Sequence, residues 1–368
     1  MRFTNESGLP ASWTMGFRRD GREQLIVIAK ATYTLPTTGE EPTLADVQLP
    51  LVEADEFSGE PGESAPTHET DYAHGKLACD VLLLGSAYAP PGHRTTRLAV
   101  GLKLGAVEKQ FVVVGSRKWQ KRLVGVSASA PRSFERLPIS YDVAFGGTDH
   151  TRASDGQTDT FEPNPVGVGY GRHRSWIDGR PLPTTEQPGQ PIENPGHRYV
   201  PMAYSPCGRN WLPRRLYAGT YDKSWIESTA PLWPDDFDER YFQAAPADQQ
   251  MPYPKGGEPV ILRNLTPDGA RVFQLPRLHM PVVFLPHKGA DANVDANCDT
   301  LVLLPDRGLF TVTWRAVLPL ARSVFDVKET IVGHMSVAWH RARRFPGKTY
   351  HHSLGEAVRQ QRARKQRS

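Results

Sequence analysis

Cysteine is scarce: Cys79, Cys207 and Cys298 are the only three in 368 residues. They are too far apart and odd in number, so they form neither a disulfide framework nor a metal-ligand spacing. Inert thiols in a reducing compartment are expected. Long apolar runs are also missing. No stretch approaches the ~20 residues of a membrane span, and Met1 to Gly21 has no apolar centre of a secretory leader. A cytoplasmic protein with no membrane partner is therefore expected. A large excess of one charge is absent too, with 44 Lys and Arg against 40 Asp and Glu.

Catalytic signatures are equally thin. The serine-hydrolase elbow Gly-x-Ser-x-Gly does not occur in the chain. Gly347-Lys348-Thr349 lacks the earlier glycine of a phosphate loop, because Ala342 stands at that position. Gly167-Val168-Gly169-Tyr170-Gly171 follows Asn164-Pro165, not a strand entering a helix, and reads as a turn. His68 and His74 miss the i, i+4 spacing that puts two ligands on one helix face. No catalytic, cofactor-binding or metal-binding residue is assigned, and no cofactor is expected.

What the chain does have is turn-forming residues. Proline (33) and glycine (32) together make about 18% of it, against a usual ~12%. Both interrupt helices, so the excess favours short strands joined by turns. Leu25–Leu35 is rich in β-branched and aromatic residues, and one of its faces (Leu25, Val27, Ala29, Ala31, Tyr33) is apolar. Further strands are expected at Lys76–Ala89, Thr96–Leu104, Lys109–Gly115, Arg122–Ala130, Val260–Leu265, Arg271–Leu275, Pro281–Leu285, Thr300–Leu304, Leu309–Leu318 and Thr330–Trp339. Gly105-Ala106-Val107-Glu108 and Pro305-Asp306-Arg307-Gly308 are read as hairpin turns. The expected fold is mostly β, with antiparallel sandwich-like sheets. Its regions are an N-terminal β region (1–130), a loop-rich aromatic region packed on the sheets (131–258), a C-terminal β region (259–345) and a basic tail or short helix (346–368).

Composition is uneven along the chain. Residues 131–258 hold 17 Pro, 13 Gly and 17 of the 34 aromatics. Disordered linkers are poor in aromatics, so these are read as loops pinned to a scaffold, where binding surfaces concentrate. Within them, Asp235-Asp236-Phe237-Asp238-Glu239 is the densest acidic cluster. It admits a Ca²⁺ loop or, with Asp222, a glycosidase carboxylate pair. An acidic turn with Phe237 packed inward and an acid capping the next segment is favoured over both. The stretch from His340 to Ser368 carries nine Lys and Arg and one acid, so it holds +8 and the remaining chain −4. A solvated or partner-docking end is preferred to a nucleic-acid patch, because no aromatics interleave with Arg359–Arg367.

Several segments together resemble a bacterial family named only as a domain of unknown function. They are Lys76-Leu77 with Asp80-Val81-Leu82-Leu83-Leu84-Gly85, Ile139-Ser140-Tyr141-Asp142-Val143-Ala144-Phe145-Gly146-Gly147, and Asn164-Pro165-Val166-Gly167. They continue with Ala218-Gly219-Thr220-Tyr221-Asp222-Lys223-Ser224-Trp225, Trp233-Pro234-Asp235-Asp236-Phe237-Asp238 and Tyr241-Phe242-Gln243-Ala244-Ala245-Pro246-Ala247-Asp248-Gln249. The ordered set is specific, and it spans the chain from about Trp13 into the strands after Glu258. The family is associated with type VI secretion and described as an effector adaptor or chaperone. The resemblance implies a non-catalytic protein that binds an effector, often one with a PAAR-type domain, and helps load it onto the VgrG spike. It supplies no catalytic residues.

The partner surface is accordingly expected at Tyr221, Trp225, Trp233, Asp235, Asp236, Phe237 and Asp238, because aromatic residues concentrate interface energy. The alternative is a β-rich hydrolase acting on carbohydrate or ester substrates through the acidic cluster.

Overall fold

The computed structural model describes residues 1–345, 347, 351 and 353–365. Lys348, Thr349, Arg367 and Ser368, all named above, lie outside the described residues. Three sheets are built from β1 (Arg2–Asn5), β2 (Ala11–Phe17), β3 (Glu23–Thr34), β4 (Cys79–Leu83), β5 (Arg97–Leu104), β6 (Val107–Val114), β7 (Thr185–Glu186) and β8 (Gln250–Met251). They are completed by β9 (Pro259–Arg263), β10 (Ala270–Gln274), β11 (Pro281–Pro286), β12 (Ala292–Asp295), β13 (Asn297–Leu304), β14 (Leu309–Pro319) and β15 (Val327–Val332). The six-stranded sheet has the order β8-β4-β13-β14-β3-β2, the five-stranded sheet β7-β6-β5-β9-β10, and the four-stranded sheet β1-β15-β11-β12. Strands from the 1–130 and 259–345 regions therefore share each sheet. The fold is mostly β and sandwich-like. Most pairs are antiparallel, while β4 with β13 and β1 with β15 run parallel.

Period-two alternation explains how the main core closes. Leu25, Val27, Ala29 and Ala31 of β3 share a face with Phe310, Val312, Trp314 and Ala316 of β14. They pack with Val100, Leu102, Phe111, Val113, Val260 and Leu262 of the five-stranded sheet in one continuous cluster. The opposite face of β3 and β14 is buried as well, although Lys30, Thr32, Thr311, Thr313 and Arg315 lie on it. Alternation in β14 by itself predicts a half-buried strand, and a second layer of loops overrides it.

The middle of the chain carries two smaller cores. One gathers Trp119, Phe145, Phe161, Tyr170, Ile177, Leu182 and Ile192, the other Ala73, Phe237 and Phe242 with Trp233 and Tyr241 against them. Loops anchored by aromatics are what the composition implied.

Three local expectations change. Arg122–Ala130 is not one strand: Arg122–Gly125 is the turn of a hairpin that pairs Trp119–Lys121 with Val126–Ala128. The β5–β6 turn is Gly105-Ala106 alone, since Leu104 already pairs with Val107. Thr330–Trp339 is not one strand: β15 ends at Val332, Gly333 takes φ 101°, and Ser336 caps a helix over Val337–Arg344 by accepting the Trp339 amide. The capping oxygen satisfies an amide that would otherwise be orphaned at the helix start. A second helix covers Leu354–Lys365 in the basic tail. Among the described residues, no helix is long and apolar enough to cross a membrane.

Candidate interaction site

The polar face of the six-stranded sheet is organised by buried ion pairs. Lys30 Nζ donates to Asp71 Oδ2 at 2.9 Å. Lys76 Nζ reaches Asp80 Oδ2 at 2.6 Å and Thr300 Oγ1 at 2.9 Å. A register shift between Cys298 and Thr300 leaves Asp299 unpaired in the ladder, and Arg315 binds its carboxylate. A bulge re-aims a side chain in this way. Each of these charges is removed from water, so each is held only because it is paired.

One of the segments carrying the resemblance, Tyr241–Gln249, closes over this face. Gln243 donates to Asp80 Oδ1 at 2.8 Å and accepts the Leu77 amide at 2.8 Å, while the Ala244 amide donates to Asp80 Oδ2 at 2.8 Å. Gln249 donates to the Val81 and Tyr204 carbonyls and accepts from Lys109 Nζ. The Tyr241–Gln249 segment is thus a clamp on β4. Asn164 plays a similar part, donating its amide to the Tyr141 and Phe145 carbonyls at 2.8 and 3.1 Å. These motifs build the fold.

Residues 214–242 then form a rim beside the β2–β3 turn. Arg214, buried, ties it down by donating to Glu69 Oε1, the Cys207 carbonyl and the Tyr241 carbonyl. Trp233 stacks on Phe237 with ring centres 4.3 Å apart, and its indole N–H donates to the Phe17 carbonyl at 3.1 Å. Phe237 is buried, and burying such a ring stabilises by about 2–3 kcal/mol. Asp222 caps α-helical Lys223–Ser228 by accepting the Trp225 amide at 2.9 Å. The Trp225 indole donates to the Leu232 carbonyl, and Tyr221 meets the Trp225 ring edge-on at 4.8 Å.

The acids of the cluster have separate local partners. Asp236 accepts from the Thr220 amide and hydroxyl at 2.8 and 2.7 Å, which holds its carboxyl below the usual range. Asp238 accepts the Arg240 amide and pairs with the Arg240 guanidinium, which likewise holds it low. Asp235 is exposed, and its carbonyl accepts from Arg19. Phe237 inward and Asp238 as a cap match the acidic-turn reading. Among the described residues, no group of three or more His, Cys, Asp and Glu is placed to hold a metal ion.

Of the seven residues named from sequence, Phe237 is buried, Trp233, Trp225 and Asp238 are half-buried, and Tyr221, Asp235 and Asp236 are exposed. Residues not named from sequence complete the exposed rim: Leu216 is 70% exposed, Ile226 65% and Phe17 48%. No periodicity marks them, because their exposure depends on which loop lies beside them.

Between rim and sheet lies a cleft of about 220 Å³, bordered by Phe17, His74, Lys76, Trp233, Glu239 and Arg315. The His74 ring packs 5.6 Å from Trp233 and 5.2 Å from Phe242, and its Nδ1 has no hydrogen-bond partner. Burial lowers its pKa, helped by the positive charge of Arg209 and Arg315. An imidazole whose folded pKa is depressed binds fewer protons folded than unfolded, so its neutral form favours the fold above the unfolded value, near 6.5. That advantage is lost as pH falls through the unfolded value towards the folded one. Urea midpoints should therefore drop between about pH 7 and 5, and His74→Phe should flatten that part of the profile. An unchanged slope in the variant would remove His74 as its source.

No curated protein and no solved structure matches the chain. A family model does match residues 20–315, which include the whole six-stranded sheet apart from β2 and the end of β14, the clamp on β4 and the entire 214–242 rim. By that match the protein belongs to the family described as an uncharacterized protein conserved in bacteria, DUF2169.

Proposed function

We propose that this protein is a non-catalytic adaptor of type VI secretion. In the cytoplasm it would bind an effector, one carrying a PAAR-type domain, and help load it onto the VgrG spike. The observation that carries this reading is the rim. Leu216, Tyr221 and Ile226 are apolar and exposed on a segment held in place by Arg214, Asp222 and the Trp233–Phe237 stack. Exposed aromatic and aliphatic side chains on an anchored segment lose little entropy on docking, and aromatic residues are enriched where interfaces concentrate energy. Tyr221, Leu216 and Ile226 would make the contact, with Trp225 and Asp235 at its border. Trp233, Phe237, Asp236 and Asp238 would position it from below. The test is co-expression with a PAAR-type effector from the same bacterium. A complex should co-purify and the effector should gain solubility. Separate elution, with effector secretion surviving deletion of the adaptor, would refute the reading.

A further inference from the structure

An exposed sheet edge is a row of unsatisfied backbone groups, and natural proteins blunt such edges with charge, proline, short length or a covering segment. In the five-stranded sheet, the edge strand β10 is covered: Gly39 donates to the Val272 carbonyl, and the Val272 amide donates to Thr38. The four-stranded sheet ends in β12, a short strand with Asp295 at its end, and in β1, which begins with Arg2. β2 has none of these devices. Its seven residues, Ala-Ser-Trp-Thr-Met-Gly-Phe, contain no charge and no proline.

The register fixes which of its groups are free. Pro10 accepts from the Lys30 amide and the Arg18 amide donates to the Arg22 carbonyl, and the ladder between them pairs Ala11 with Ala29 through Phe17 with Glu23. Hydrogen-bonded and non-bonded pairs alternate in an antiparallel ladder. Ser12, Thr14 and Gly16 therefore bond to β3, while the N–H and C=O groups of Ala11, Trp13 and Met15 point outward. The Phe17 carbonyl also points outward, and it is the one that takes the Trp233 indole. Trp13, at the middle of the open stretch, is itself 37% exposed.

We infer that the Ala11–Met15 edge of β2 takes an extended segment of a partner protein by strand addition. The main chain of that segment would bond to Ala11, Trp13 and Met15, and its apolar side chains would lie on the Trp13 and Met15 side. Five residues of strand are about 17 Å long. The stretch is closed at one end by Trp233 and at the other by the Asn5–Leu9 turn, where Asn5 donates to the Leu9 carbonyl. A slot one strand wide and this short buries far less than the roughly 1,200 Å² a stable interface between two folded bodies needs. It suits a peptide segment read by main-chain hydrogen bonds, and a second copy of this chain does not fit that size. The identity of the partner rests on the adaptor reading, but the mode of docking does not.

The test uses the full chain and the peptide acetyl-Lys-Val-Thr-Val-Thr-Val-Lys-amide as probe. In the free protein, the Trp13 and Met15 amides should exchange with solvent much faster than those of Ser12 and Thr14. Adding the peptide should slow Trp13 and Met15 selectively. Trp13→Pro removes an outward N–H and leaves the β3 ladder intact, so it should weaken peptide binding about tenfold, as losing one such bond and the Trp contact implies. Trp13→Lys, which keeps the backbone, should also weaken it, and Trp13→Phe should not. The inference is overturned if Trp13 and Met15 are as protected as Ser12 and Thr14 in the free chain. It is equally overturned if millimolar peptide protects neither, or if Trp13→Pro and Trp13→Lys bind as tightly as the parent. A dimer in solution that Trp13→Pro dissociates would replace the peptide segment by a second copy. An effector complex that survives Trp13→Pro and Trp13→Lys but is lost on changing the rim would remove the edge and keep the adaptor reading.

Discussion

Replacing Asp80 with alanine is expected to destabilise the protein by about 3–5 kcal/mol, measured as the shift in urea unfolding, because it strips the partner from a buried cation. Asp80 is fully buried, and the Lys76 side chain is only 4% exposed. Without the carboxylate, Lys76 keeps only Thr300, and the Ala244 amide and the Gln243 side chain lose an acceptor in a dry site. Each such orphan costs about 1–3 kcal/mol on its own. Asp80→Asn should fall between parent and alanine, since it keeps an acceptor and loses the charge. The double change Asp80→Leu with Lys76→Met should recover part of the loss, because apolar replacement of a buried pair is often close to neutral. A cost below about 1 kcal/mol for Asp80→Ala would contradict the clamp between β4 and the Tyr241–Gln249 segment.

Gly146→Ala should be comparably severe. Gly146 lies at φ 158°, and a Cβ there would sit 2.1 Å from the Asn164 carbonyl oxygen and 2.9 Å from the Asn164 side chain. Asn164 cannot retreat, because its amide holds the Tyr141 and Phe145 carbonyls and its own carbonyl accepts the Gly147 amide at 2.9 Å. Overpacking and backbone strain together should cost roughly 2–6 kcal/mol in chemical unfolding. Gly101→Ala provides the contrast. A Cβ at Gly101 meets its neighbours at an ordinary 3.8 Å, so its effect should stay within about 1 kcal/mol. Equal effects at the two positions would mean that the knot around Asn164 is not rigid.

These two sites show why the resemblance was legible while the site was only partly so. The Tyr141–Gly147, Asn164–Gly167 and Tyr241–Gln249 segments are distinctive because they contain polar and glycine residues whose partners are backbone groups far away in the chain. The sheet was readable from alternation in β3 and β14, and the Pro305–Gly308 turn from its residue types: Gly308 does take the left-handed conformation, φ 64°. Alternation separates two faces of a strand but does not say what covers the second one. Lys30, Thr32, Thr313 and Arg315 therefore read as a solvent face, although loops carrying Asp71 and the Asp299 bulge bury them. Thr330–Trp339 misled for a local reason: β-branched residues run up to Val332, and the Ser336 cap three residues before Trp339 competes with them. On the rim, Tyr221 and Trp225 stood out by residue type, whereas Leu216, Ile226 and Phe17 are ordinary apolar residues until tertiary structure leaves them uncovered.

The most direct test of the adaptor reading is the dissociation constant of the effector complex for the parent and for Tyr221→Ala with Ile226→Asp. Both residues are exposed and neither supports the core, so the variant should unfold at the parent's urea midpoint. If the rim is the contact, binding should weaken by about 30-fold or more, the loss expected when interface anchors are removed. Affinity unchanged in a folded variant would contradict the rim as the partner surface.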